Sequence, residues 1–292
     1  MPMLDLNGKV AFVTGGAGGI GLGIAEVLGE QGMSVMIADI DALALERATE
    51  RLRQMNIPAD CVVCNVADRM DVAAAAQTTL DRFGKVHVVC NNAGIPAGGP
   101  LGKMPVRDWN WSIDVNQIGV INGIEVFVPL IDRHGEGGWI VNTASMAGFI
   151  SAATMEPYCG TKAAVVAMSE GWSAQFADRS IGVSVLCPGV IRSRIDEAYH
   201  RRPEAYGEVP PPPERTPKAL SMVQDGLPAR IAGERIVEAI RNGDLYIFTH
   251  PEYKAPVEAR FRRILAAFDK AAESPSLKSL PPRDLPYFAR AD

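Results

Sequence analysis

Short apolar runs alternate along this 292-residue chain with longer stretches whose apolar positions recur at helical spacing. The runs at 10–13, 34–38, 60–64, 86–90, 138–142, 181–187 and 245–249 read as strands. The stretches near 19–31, 41–56, 68–83, 105–133, 156–178 and 228–242 read as amphipathic helices. Strands that are apolar throughout, instead of alternating with polar residues, suit a parallel sheet covered on both faces. Regular alternation of strand and helix then predicts an α/β fold, a doubly wound parallel sheet of about seven strands with helices on both faces and right-handed crossovers. Two regions break the rhythm. Residues 190–228 contain "EVPPPPERTP" and are too long and proline-rich for a simple connection. Such insertions commonly serve as lids or binding loops. Residues 251–271 read as one more helix, followed by a proline-rich tail. The expected organisation is a single domain over residues 1–272, with a substrate loop at 190–228 and a tail at 273–292.

Composition narrows the function. The formal net charge is −5, which favours neither nucleic acid nor an anionic membrane surface. No apolar run reaches the roughly 18 residues of a membrane-spanning helix. The start, "MPMLDLNGKVAFVTGG", shows no basic segment before an apolar one, so the expected location is the cytoplasm. Five cysteines give no disulfide framework. Cys61 and Cys64 form a CxxC, but "ADCVVCNV" reads as a buried strand that turns them to opposite sides. His87, His134, His200 and His250 are scattered and form no ligand set, so no metal is expected.

"VAFVTGGAGGIGLGIAEVLGEQG" is a strand, a glycine-rich turn and a helix. Gly15, Gly19 and Gly21 allow a tight turn and let backbone amides approach a pyrophosphate. The next strand ends in "MIADID", where Asp39 can accept hydrogen bonds from the hydroxyls of an adenosine ribose. A 2′-phosphate there would meet a like charge, and neither the turn nor Ile40 supplies a basic residue. The cofactor expected is therefore NAD. In "MEPYCGTKAAVVAMSEGWSAQF", Tyr158 and Lys162 stand at i and i+4 on one helix face. A nearby ammonium favours phenolate and lowers the phenol pKa, making Tyr158 a candidate acid/base. Ser145, in "NTASMAG", can hold a substrate oxygen near that phenol.

With these motifs together, the chain resembles the short-chain dehydrogenases/reductases of the simple, one-domain type, over residues 9–193 most clearly. The resemblance implies a Rossmann fold and assigns the cofactor turn to "TGGAGGIG", with Gly15, Gly18, Gly19, Ile20 and Gly21. It implies that Asn92, Ala93 and Gly94 of "NNAG" flank the cofactor and that Asn116 helps to hold a water beside Lys162. Lys162 would also bond the nicotinamide ribose, as would Tyr158 contact the cofactor. Pro188, Gly189, Val190, Ile191 and Ser193 of "CPGVIRS" would meet the nicotinamide end. Two positions depart from the family pattern. Asn65, before Val66, stands where Asp is usual, and Ser193 stands where Thr is common. The Asn carbonyl can still accept from an adenine amino group, and a hydroxyl remains at Ser193.

A narrower resemblance, carried by "IGVSVLCPGVIRSRIDEA", "RRPEAYG", "INGI" and "LYIFTHPEY", is to Cα-dehydrogenases that oxidise the benzylic alcohol of lignin-type β-aryl ethers. It implies an NAD-dependent secondary-alcohol dehydrogenase acting on a bulky aromatic substrate, in the catabolism of aromatic compounds. Met146, Phe149, Met155, Ile195 and Tyr199, with Ser145, are the candidate substrate wall. Arg192, Arg194, Arg201 and Arg202 make the loop basic, either as a solvated face or as a receptor for an anionic group. Members of the family usually pair the helices near 105–133 and 156–178 between subunits, which implies a homodimer or homotetramer. Alternatives are a carbonyl reductase, a hydroxysteroid-type dehydrogenase, or a catalytically silent NAD-sensing or scaffold protein.

Overall fold

The computed structural model describes residues 5–193, 195–207 and 225–281. Arg194, all of the "EVPPPPERTP" stretch and the end of the tail lie outside the described residues. The chain forms two compact units, 1–250 and 251–292, where one domain to residue 272 was expected.

In the first unit all seven expected strands form, each within two residues of its expected ends. They are β1 Val10–Thr14, β2 Ser34–Asp39, β3 Ala59–Val63, β4 Val88–Asn91, β5 Gly138–Thr143, β6 Ile181–Cys187 and β7 Tyr246–Phe248. All pairs are parallel, in the order β3-β2-β1-β4-β5-β6-β7. The helices between them are α1 Gly19–Glu30, α2 Ala42–Gln54, α3 Arg69–Phe83, α4 Val106–Ile113, α5 Gly119–His134, α6 Glu156–Gln175 and α7 Arg230–Asn242. The carboxylates of Asp41 and Asp68 cap α2 and α3 by accepting from backbone N–H groups one turn in. Gly135 and Gly243 end α5 and α7 in the left-handed conformation. The second unit holds α8, Lys254–Ala272, and α9, Pro275–Lys278. No helix among the described residues is long and apolar enough to cross a membrane.

Alternate residues of each strand feed two apolar layers. Ala11, Val13, Val35, Ile37 and Val141 pack with Ile24 and Leu28 of α1 and Ile236 and Ile240 of α7. Phe12, Met36, Val89 and Ile140 pack on the other face with Val72 of α3 and Ile124, Phe127 and Ile131 of α5. A strand covered on both sides must be apolar at every position, which is the pattern that predicts the sheet. β3 departs from the expected buried strand. It lies at one edge of the sheet, and Val63 is 57% exposed. Cys61 joins the first layer and Cys64 the second, so the CxxC is split across the sheet and both thiols are free.

The long helix expected at 105–133 is also interrupted. A π turn, Asp114–Ile118, separates α4 from α5. Its centre is Asn116, whose amide bonds both backbone groups of Ile95 and so draws this turn onto the loop after β4. Such single-turn widenings cluster at functional sites.

Contrary to the expectation of scattered histidines, His87 and His134 come together at the N-terminal ends of the strands, with ring centres 4.7 Å apart. His87 Nδ1 accepts from the Val10 N–H at 3.1 Å, and Nε2 meets Glu136 at 3.0 Å. His134 Nε2 meets the Val86 carbonyl at 2.8 Å, and Nδ1 accepts from the Glu136 N–H at 3.1 Å. Each ring nitrogen has a partner, and Lys9 and Lys85 also hold Glu136, so the group bolts these segments together. Burial pushes the His87 pKa below its ordinary value, against the pull of Glu136. The unfolded chain therefore binds this proton first as pH falls below about 6.5, and stability drops until the folded-state pKa is passed. Thermal melts should show a lower midpoint at about pH 5.5 than at about pH 7.5. His87→Gln should flatten that difference; an identical drop in the variant would remove His87 from the account.

Candidate active site

The sheet order reverses direction between β1 and β4, and connections leave to opposite sides there. A crevice opens beyond the carboxyl ends of these strands, the usual ligand position in open α/β sheets. It continues as a groove lined from Gly15 and Asp39 at one end to Tyr158 and Lys162 at the other. Gly15 and Gly19 take φ of +63° and +51°, the left-handed region that favours glycine. A Cβ on Gly21 would lie 2.1 Å from the Gly15 carbonyl oxygen, so the turn closes only without one. Gly18 caps α1 without a side-chain bond, leaving the first-turn amides for an anion.

Asp39 stands at the end of β2 with both carboxylate oxygens directed. Oδ2 accepts from the Ala17 N–H at 3.3 Å and Oδ1 from the Asp41 N–H at 3.2 Å. Burial pushes its pKa above the ordinary carboxylate value, while those two N–H groups and the charge of Arg201 pull it back. Asn65 Oδ1 accepts from Ala67 N–H at 3.1 Å, which uses part of the acceptor capacity expected for adenine. The turn is tied to β4 through Thr14. Its hydroxyl accepts from the N–H groups of Asn92 and Ala93 at 2.9 and 3.0 Å, and the Asn92 amide donates to its carbonyl at 3.0 Å.

At the other end of the groove, the helical spacing of α6 sets Tyr158 and Lys162 on one face. Lys162 is 3% exposed, and its ammonium donates to the Thr143 carbonyl at 2.8 Å. Its Nζ lies 5.7 Å from the Tyr158 ring centre. Burial lowers the Lys162 pKa to about 8, leaving it largely protonated at neutral pH. The Tyr158 phenol is pushed up by burial, with Ser145 in hydrogen-bond range pulling it down. This corrects the expectation of a phenol lowered by the lysine: the ammonium is committed to Thr143, and desolvation wins. Ser145 also accepts from Ala147 N–H at 3.1 Å. Behind them Asn116, fully buried, donates to Ser112 and Thr161, both at 3.3 Å. A Cβ on Gly94 would meet Asn116 Oδ1 at 3.2 Å and Lys162 Nζ at 3.4 Å, so this glycine leaves a small polar space between them.

The groove brings together Gly15, Gly18, Gly19, Ile20, Asp39, Asn65, Val66, Asn92, Ala93, Gly94, Tyr158, Lys162, Pro188, Ser193 and Ile195. Gly21, Asn116 and Ser145 stand behind or beside this lining. Gly189 is braced from β7, its N–H donating to Thr249 Oγ1 and His250 Nδ1 at 3.3 and 3.2 Å. Val190 and Ile191 pair with Leu227 instead of lining the groove. Of the expected substrate wall, Ile195 lines the groove. Met146 is buried beneath Pro188, to whose carbonyl its N–H donates at 2.9 Å. Phe149 packs on Phe248 and Tyr246, at 5.7 and 6.5 Å, and Met155 is part-exposed at the start of α6. Tyr199 stacks edge-on against Trp111 at 5.8 Å.

Sequence reading missed Trp111 and Val115, which line the groove with Ile95. It also missed the pairing within the basic loop. Arg202 ion-pairs with Asp108 at 2.6 Å and lies over Trp111 at 5.0 Å, while Arg201 bonds Asp41 at 3.1 Å. Two of the four arginines considered for an anionic substrate are thus already neutralised. The "RDWNWS" segment shows the aromatics and acid, but their partners, Arg202 and Tyr199, come from beyond β6.

The family model for short chain dehydrogenases matches residues 9–204. A C alpha-dehydrogenase of Sphingobium sp. strain SYK-6 is 36% identical, the match covering 90% of this chain and 87% of that one. A short-chain dehydrogenase/reductase from Burkholderia phymatum, solved in complex with NAD, superposes with a TM-score of 0.84 at 34% identity, over 97% of this chain and 100% of that one. The apo form of LigO from Sphingobium sp. strain SYK-6 gives 0.80 at 35% identity, over 94% of each chain. This chain therefore belongs to the short-chain dehydrogenase/reductase family of oxidoreductases, whose members use NAD or NADP. The open amides of α1, the Gly15–Gly21 closure and the Asp39 acceptor fit such a dinucleotide. Gly21→Ala should force the turn open at a cost of about 1–3 kcal/mol. Calorimetry should then show about tenfold weaker dinucleotide binding or worse, with circular dichroism unchanged.

Proposed function

We propose that this protein is an NAD-dependent dehydrogenase that oxidises a bulky, aromatic secondary alcohol of benzylic type to the ketone. The Cα alcohol of β-aryl ethers is its foremost candidate substrate. The observation that carries the reading is the meeting of Tyr158, Lys162 and Ser145 at one end of a groove walled there by Trp111, Val115 and Ile95. The names borne by the Sphingobium and Burkholderia relatives support the substrate class and the cofactor. Asp39 supports NAD over NADP by charge.

When bound, the oxidised nicotinamide supplies the hydride acceptor and a fixed positive charge. Ser145 donates to the substrate oxygen and holds it at the phenol. Tyr158 as phenolate takes the alcohol proton, and Lys162, fixed on Thr143, stabilises that anion and passes protons toward the space beside Gly94 and Asn116. The apolar wall excludes water and receives the aromatic ring. The neutral phenol that burial favours suits the reverse direction, reduction of a ketone, and this is the observation behind a carbonyl-reductase reading. Helices α4–α6 are the surfaces through which we expect a homo-oligomer in the cytoplasm, with Val106 and Trp109 exposed on α4.

NADH formation should be fastest with benzylic β-aryl ethers in a panel that includes aryl carbinols, hydroxysteroids and aliphatic alcohols, and faster with NAD than NADP. Steroid preference or equal use of NADP would overturn the substrate or cofactor assignment respectively. Tyr158→Phe should keep NADH binding and lose about 10²-fold or more in kcat. Because the phenol is held up, kcat/KM for oxidation should rise with pH above neutrality, whereas reduction should fall. A flat oxidation profile would contradict the role of Tyr158.

A further inference from the structure

The loop after β6 contains a 3-10 helix, Ile195–Arg201. Such a helix has about three residues per turn, so positions three apart lie above one another. Ile195, Ala198 and Arg201 are spaced in this way, and all three line the groove. The row runs from the catalytic end to the adenosine end. Arg201 stops where β2 delivers Asp39 and Asp41.

There its Nε donates to Asp41 Oδ2 at 3.1 Å, across 160 residues of sequence. Asp41 uses its other oxygen to cap α2 through Ala44 N–H at 2.9 Å. The Asp41 N–H donates to Asp39, and Asp39 in turn accepts from Ala17 in the glycine turn. An unbroken chain of bonds thus runs from the loop through Asp41 and Asp39 to the turn that faces the pyrophosphate position. The residues directly after the 3-10 helix are fastened separately, by Arg202 on Asp108 and Trp111 and by Tyr206 Oη donating to Asp114 at 2.9 Å. Those anchors fix the loop on α4 and the π turn without Arg201. The Arg201 guanidinium is therefore not needed to attach the loop. It sits among carboxylates instead, with Glu197 at 3.6 Å as well.

We propose that Arg201 is a cofactor-positioning residue: from the 3-10 helix Ile195–Arg201 it braces Asp41 and Asp39 as a single counter-ion at the ribose-binding end of the groove. This rests on the NAD reading above. Two carboxylates side by side in a partly desolvated groove repel one another, and a dinucleotide that covers them removes more water. The Arg201 cation, already seated on Asp41, offsets both effects. Asp39 must be ionised to accept from two ribose hydroxyls. The groups that face it are Asp41, Arg201 and the Cys64 thiol, which burial holds neutral with its pKa pushed up to about 12. Arg47 of α2 also acts on Asp41. Without Arg201, burial of Asp39 is opposed by its backbone N–H bonds alone, which moves its pKa further upward.

The test is titration calorimetry of the full chain with NADH and NADPH, at about pH 6 and about pH 8, for the wild type, Arg201→Met and Arg201→Lys. Arg201→Met should weaken NADH by about tenfold at the lower pH and about threefold at the higher, as Asp39 regains its charge. Arg201→Lys should restore most of the loss. In turnover, KM for NAD should rise while kcat stays within about twofold. Wild type that binds NADH beside an Arg201→Met that binds it equally well at both pH values would overturn this role alone. So would an equal loss at both pH values without rescue by lysine, which is what a merely structural residue gives. A loss confined to NADPH would also overturn it, by assigning Arg201 to a 2′-phosphate. Wild-type protein that binds neither dinucleotide would overturn the cofactor reading itself, and this role with it.

Discussion

The hydroxyl of Thr14 holds the fold together at the point where it must come apart. β1 and β4 are neighbours in the sheet, yet the chain leaves them in opposite directions. That divergence opens the groove, and it also leaves the backbone N–H groups beyond β4 without strand partners. Thr14 accepts from two of them, and Asn92 returns a bond to the Thr14 carbonyl. Unpaired buried amides would cost about 1–3 kcal/mol each, so this knot lets the sheet stay closed beneath an open crevice. The glycine turn, Gly94 and the Asp39 acceptor all hang from it.

The catalytic end depends on a second constraint, a buried ammonium. Lys162 is nearly inaccessible and is tolerated because the Thr143 carbonyl accepts from it at 2.8 Å. Its position is therefore set by the end of β5 as much as by α6. The π turn at Asn116 serves the same region from the other side. It spends a regular helical bond pattern to let one amide join Ile95, Ser112 and Thr161. The phenol of Tyr158 stands between these supports in a desolvated setting that favours its neutral form.

The loop after β6 adds a third layer. Its arginines look like a basic surface in one dimension. In three dimensions each described pair is spent on a carboxylate from a different element: Arg201 on Asp41 at the start of α2, and Arg202 on Asp108 in α4. The loop thereby spans the groove between its two ends. Trp111, beneath Arg202 and beside Tyr199 and Tyr206, gives that span an aromatic floor.

How much of this was legible beforehand follows from the range of the interactions. Strand positions, the parallel sheet, the glycine turn, Asp39 and the Tyr158–Lys162 pair are local patterns. Apolar continuity reports two-sided burial, φ above zero demands glycine, and i,i+4 spacing fixes a shared helix face, all within a few residues. What the chain alone could not disclose depends on partners distant in sequence. The exposed edge of β3 follows from strand order, and the His87–Glu136 bolt from the meeting of β4 with the end of α5. The turning of Phe149 toward β7, the direction of the Tyr158 shift and the clasp of Arg201 on Asp41 follow from packing. Local residues thus determined the chemistry that this protein carries. Tertiary structure decided which charges are paired and which groups are dry, because desolvation and ion pairing depend on what the fold brings within a few ångströms.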